Sequence, residues 1–130
     1  MVGKRILDLG CGFGEHCKLF VEKGAEKDFD TFTALAGSSP AYIALFIEAL
    51  AKAGVKYGLP KAESLNIATQ TVLATAETIL TGTDSPHDLI DKVCSPGGTT
   101  IAGLLDLEKT GLTTSVISSI DTTINKAKNL

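Results

Sequence analysis

A mainly α-helical domain carrying a short strand–turn–helix unit at its start is the fold that these 130 residues predict. Three observations predict it. From Asp28 to the end, apolar residues recur at three- and four-residue intervals, the period of a one-sided helix. Glycine and proline punctuate that pattern as stops and starts, at Gly37, Pro40, Gly54, Pro60, Gly82, Pro86 and Gly111. Only the first 26 residues break the period: Arg5-Ile6-Leu7-Asp8-Leu9 reads as a strand, and the glycine-rich run Gly10-Cys11-Gly12-Phe13-Gly14 follows it.

The opening unit continues as a helix from Glu15 to Lys23, closed by Gly24. Strand, glycine turn and helix make half of a nucleotide-binding βαβ unit. The next segment pairs Phe29, Phe32 and Leu35 on a short helix stopped by Gly37. Ser38-Ser39-Pro40 then reads as a fresh start, with a hydroxyl cap ahead of a proline in the first turn. Residues 41–53 are apolar nearly all round, interrupted only by Glu48 and Lys52, four apart on one side. Such a helix needs burial on most sides, which a single chain with few other helices supplies poorly. At 11 residues, the run 41–51 is too short to cross a bilayer.

Gly54 closes that helix and Gly58-Leu59-Pro60 opens a long one to Leu80. Its inward stripe is Ala62, Leu65, Ala68/Thr69, Val72/Leu73, Ala76 and Ile79/Leu80. Ser85-Pro86 caps a short helix bearing Leu89, Ile90 and Val93. A helix then runs to Lys109, and a last one starts at Thr113 with Val116/Ile117, Ile120, Ile124 and Ala127 facing inward.

Between the last three helices stands Ser95-Pro96-Gly97-Gly98-Thr99-Thr100. The glycines let the backbone turn and a ligand approach closely. The threonines sit where a helix begins, so unpaired N–H groups and hydroxyls converge on one side, an arrangement suited to an anion and most simply a carboxylate. The same pattern also fits an ordinary helix-to-helix turn.

Composition narrows the classes. The net charge is −3, which gives no footprint for nucleic acid. Three cysteines cannot all pair, and no secretory signal precedes them, so a reducing cytoplasm is expected. Cys11, His16 and Cys17 lack a fourth ligand for zinc, and no metal is expected there. No nucleophile–base pair stands out, and His87, next to a helix-start proline, is expected to be exposed.

Two resemblances follow from the motifs. Leu7-Asp8-Leu9-Gly10-Cys11-Gly12-Phe13-Gly14 resembles the first motif of class I S-adenosylmethionine-dependent methyltransferases, in which the glycines make room for the cofactor's methionine portion. A second strand ending in a ribose-holding acid should follow about 20 residues later, and none does. Gly10, Gly12 and Gly14 are therefore at most a vestigial cofactor-binding set.

Four stretches of the remainder resemble the C-terminal domain of pyrroline-5-carboxylate reductase, the NAD(P)H enzyme of the last step to proline. They are Thr33-Ala34-Leu35-Ala36-Gly37-Ser38-Ser39-Pro40-Ala41-Tyr42; Glu48-Ala49-Leu50-Ala51-Lys52-Ala53-Gly54-Val55 with Gly58-Leu59-Pro60; Gln70-Thr71-Val72-Leu73; and Ser95-Pro96-Gly97-Gly98-Thr99-Thr100-Ile101-Ala102-Gly103-Leu104. The resemblance implies an intertwined helical dimerisation domain over residues 27–130, forming a homodimer or a higher oligomer built on it. It implies a loop, here Ser95, Gly97, Gly98, Thr99 and Thr100, that holds the carboxylate of pyrroline-5-carboxylate or proline through backbone N–H groups and the Thr100 hydroxyl. It places Gly37–Pro40 near the dimer's active-site cleft, with Ser39 where the family commonly has glycine.

The family's N-terminal Rossmann domain is not among these residues, and 1–26 stands in its place. No cofactor and no catalytic residue is therefore expected in this chain, although the family uses NADPH or NADH. The change near Glu26 reads as a junction of two unrelated families, engineered or recombined. The alternative function is such a chimera with a residual nucleotide or S-adenosylmethionine site. Neither a nucleic-acid nor a membrane partner is expected.

Overall fold

The computed structural model describes residues 29–129. The readings made for residues 1–28, namely the strand Arg5–Leu9, Gly10, Gly12, Gly14, Cys11, His16, Cys17 and the helix after them, lie outside the described residues. Every regular element that is described is helical. They are α1 (Phe29–Phe32), a π-helical turn (Thr33–Ser38), α2 (Ser39–Lys56), α3 (Lys61–Thr81), α4 (Pro86–Val93), α5 (Thr99–Lys109) and α6 (Leu112–Lys128).

The chain forms two compact units. Of the described residues, one takes in residues 29–43 together with residues 114–129, and the other is Ala44–Thr113.

In the first unit the expected break at Gly37 is absent. α1, the π turn and α2 make one continuous helix of 28 residues. Proline lacks an N–H, and its ring crowds the carbonyl four residues back. The chain absorbs Pro40 by widening the preceding turn to π geometry rather than by ending the helix. Ser39 is accordingly no N-cap: its backbone is helical (φ −60°, ψ −24°) and its N–H bonds to the Ala34 carbonyl five residues back. Its hydroxyl donates to the same oxygen at 3.0 Å. Built this way, the helix is long and apolar enough to cross a membrane by length and composition, which the 11-residue run alone is not. Tyr42 on α2 meets Thr123 on α6 through their hydroxyls. Because the single Thr123 proton goes to the Ser119 carbonyl, Tyr42 is the donor of that bond.

In the second unit Gly54 does not end α2. The stop is four residues on, where Gly58 takes φ +98°. Gly58 N–H bonds to Val55 O at 3.0 Å and Leu59 N–H to Gly54 O at 3.1 Å, the paired bonds of a Schellman C-cap. Gly54 serves packing instead. A Cβ built there would lie 2.5 Å from Ser64 Oγ and 2.9 Å from Ser64 Cβ. Ala51 and Gly54 share a face of α2, and Ser64 and Ala68 share a face of α3. Ala51, Ser64 and Ala68 are buried, so the two helices meet through small residues.

That meeting keeps Ala68, Val72 and Ile79 of the expected α3 stripe and puts Ser64 in place of Leu65. Ser64, Ala68, Val72 and Ile79 form the more covered line, while Leu65, Leu73 and Leu80 stand exposed. Glu48 pairs with Lys61 of α3 at 3.5 Å rather than with Lys52 on its own helix.

The described core is small. Its buried apolar residues are Ala34, Ala51 and Ala68, and no large side chain is fully buried.

Candidate functional site

The turn between α4 and α5 is set up by strong local signals on its entry side. Ser85 caps α4, with Pro86 in the first helical position. The Ser85 hydroxyl accepts the Asp88 N–H at 3.2 Å, and the Ser85 N–H donates to Asp88 Oδ2 at 2.8 Å. This reciprocal box is the Ser-x-x-acid pattern at a helix start; the sequence reading took the Ser-Pro start and passed over its third member, Asp88. The Ser85 hydroxyl and then the Ser85 N–H, both bonded to the Asp88 carboxylate, hold its pKa below the ordinary 3.8. Lys92 pairs with Asp84 across the helix. His87 is exposed as expected, 3.8 Å from Asp91.

α4 ends at Cys94, whose N–H bonds to Ile90 O at 2.9 Å. The thiol is free and half-buried. Ser95, Pro96, Gly97 and Gly98 then close a turn through Gly98 N–H to Ser95 O at 3.0 Å. Gly97 takes φ +68°, the left-handed value that the third residue of a type II turn needs, after a proline at the second. Gly98 is favoured for a different reason. Its backbone is extended, but a Cβ there would lie 2.4 Å from Ser95 Oγ and 3.1 Å from Ser95 O. The pair of glycines thus answers two distinct constraints, one of dihedral angle and one of space.

Gly98 is the N-cap of α5, and no side chain caps that helix. Thr99, Thr100 and Ile101 occupy its first three positions. Their N–H groups have no carbonyl four residues back within the helix, and they sit at the positive end of its dipole. Thr99 and Thr100 are exposed. The structure therefore brings Ser95, Gly97, Gly98, Thr99 and Thr100 into one turn and one helix start, an arrangement that can accept a small anion. Among the described residues no group of His, Cys, Asp and Glu could hold a metal ion.

The π turn of the first unit holds the other sequence-flagged stretch. Its Ser39 hydroxyl is engaged with Ala34, so this serine is satisfied within its own helix.

Against known proteins, residues 26–130 match the pyrroline-5-carboxylate reductase dimerisation family. Pyrroline-5-carboxylate reductase of Synechocystis is 47% identical over 105 residues, covering 81% of this chain and 39% of that protein. The Escherichia coli enzyme is 38% identical over 125 residues, covering 96% of this chain and 45% of its own. A solved structure of 1-pyrroline-5-carboxylate reductase from Streptococcus pyogenes superposes with a TM-score of 0.80 at 72% identity, covering 81% of this chain and 40% of that one. The Plasmodium falciparum pyrroline carboxylate reductase, solved with NADP bound, gives a TM-score of 0.78 at 39% identity, covering 80% of this chain and 42% of that one. The chain spans about 40% of the length of the first relatives it matches. A helical turn-and-cap sequence, a fold shared with solved reductases and a match over residues 26–130 lead to one statement: the chain belongs to the pyrroline-5-carboxylate reductase dimerisation family.

Proposed function

We propose that residues 27–130 act as the self-associating and substrate-carboxylate-holding part of a pyrroline-5-carboxylate reductase. Ser95, Gly97, Gly98, Thr99 and Thr100 form the site. The observation that carries this reading is the uncapped start of α5 behind a turn in which Gly97 takes a left-handed φ and Gly98 lies close against Ser95. The ligand is a small carboxylate such as proline or pyrroline-5-carboxylate.

A carboxylate placed there gains about 0.3–1 kcal/mol from the helix end, and up to about 2 when partly buried. Hydrogen bonds to a charged group add about 1.5–3 kcal/mol. The sum corresponds to roughly millimolar affinity. Proline titrated into the protein should therefore shift the amide signals of Thr99 and Thr100 at millimolar concentration. Thr100→Val should weaken that binding several-fold while the fold persists, and Gly98→Val should abolish it. No shift at tens of millimolar, or shifts indifferent to both substitutions, would leave only a helix-to-helix turn.

Hydride transfer needs a nicotinamide held against the imine carbon, and that chemistry is the cofactor's. We assign no cofactor and no catalytic residue to these 130 residues. They should not oxidise NADPH when pyrroline-5-carboxylate is supplied, a point that an absorbance assay at the NADPH band decides. The apolar surface of α2 is assigned to a second copy of the chain rather than to lipid, and the cytoplasm is the proposed location. The division at residue 27, with a methyltransferase-like segment before it, is also carried as a proposal. The family match beginning at residue 26 bears on the boundary alone and lends nothing to the methyltransferase likeness. The alignment with the Escherichia coli enzyme, which covers 96% of the chain and so runs into that segment, weighs against it. Titration with S-adenosylmethionine tests Gly10, Gly12 and Gly14 directly.

A further inference from the structure

We draw no further inference here: the strongest candidate, the buried Ser64 hydroxyl set against Gly54 where α3 meets the end of α2, has no hydrogen-bond partner among the described residues, and nothing in the structure shows what would bind it.

Discussion

A single contact between two small residues decides how α2 and α3 meet. Ser64 is 3% exposed and its hydroxyl has no partner among the described residues. A buried hydroxyl without a partner costs about 1–3 kcal/mol. Ser64→Ala should therefore leave stability unchanged or raised in a urea melt. Gly54→Ala should lower it by about 1–3 kcal/mol, the usual cost of overpacking, because the new methyl lands on Ser64. Ser64→Gly introduced beside Gly54→Ala should recover part of the loss. If the two losses simply add, the contact is not what Gly54 is there for. Gly58 makes a useful contrast. A Cβ there meets nothing within 4 Å, but its φ is +98°, so Gly58→Ala should cost about 1–2 kcal/mol through backbone strain alone.

At the scale of elements, the capping box of α4 carries a pH dependence whose direction is fixed. Asp88 has a folded pKa below the ordinary 3.8, chiefly through its bonds from Ser85. Its carboxylate therefore supports the helix start fully above about pH 4, and that support is lost as pH falls through the lower folded value. An NMR pH titration should give Asp88 a lower midpoint than a model carboxyl. Ser85→Ala should bring the midpoint back up, and an unmoved midpoint would remove the box as its cause.

Elements are also where the sequence could be read best and where it misled. The Ser85-Pro86 start, the Gly82 end and the Pro-Gly-Gly turn are local signals, and each stands where the sequence placed it. Gly37 and Gly54 were misread as stops because a helix breaks only when backbone angle or capping demands it. Neither glycine takes a positive φ, whereas Gly58 does. Pro40 was misread as a restart because a π turn admits a proline without a break, and nothing in the spacing of apolar residues distinguishes the two. Ala68, Val72 and Ile79 of the α3 stripe are covered as read, whereas Leu65 and Leu73 were included because bulky apolar residues look like core. Inside one chain the close contact belongs instead to Ser64 and Ala68. The turn and helix start that make up the candidate site were legible, since the two are contiguous in sequence. Its ligand was not, because an uncapped helix end accepts any small anion.

At the scale of the whole molecule, the exposed apolar side chains among the described residues outweigh the buried ones. Along α2 alone, Ile43, Leu45, Phe46, Leu50 and Val55 are exposed, and Leu45 is 68% exposed. Fully covering one such side chain is worth about 1.5–3 kcal/mol. The threonines of α3 fit this picture. Thr71, Thr75 and Thr78 donate their hydroxyl protons to carbonyls four residues back, so they can be covered without leaving a donor unpaired. The chain should therefore run as a dimer or larger species in light scattering at micromolar concentration, without detergent. Leu45→Asp should weaken association by roughly 3 kcal/mol or more, since it places a carboxylate where apolar surface is covered. A folded monomer at that concentration would overturn the assignment, and so would a requirement for detergent.

A core whose buried apolar residues are Ala34, Ala51 and Ala68 also has a consequence for time. With so little fully buried among the described residues, a lone subunit is expected to be only marginally stable before it meets its partner. Folding and encounter then become a single event, and refolding should follow second-order kinetics, quickening as the chain is concentrated. If the proposed dimer forms in that way, two subunits that have met should part only by unfolding. Differently tagged preparations mixed after folding should therefore trade chains no faster than they unfold, and hybrid pairs should arise freely only when both chains are made, or refolded, together.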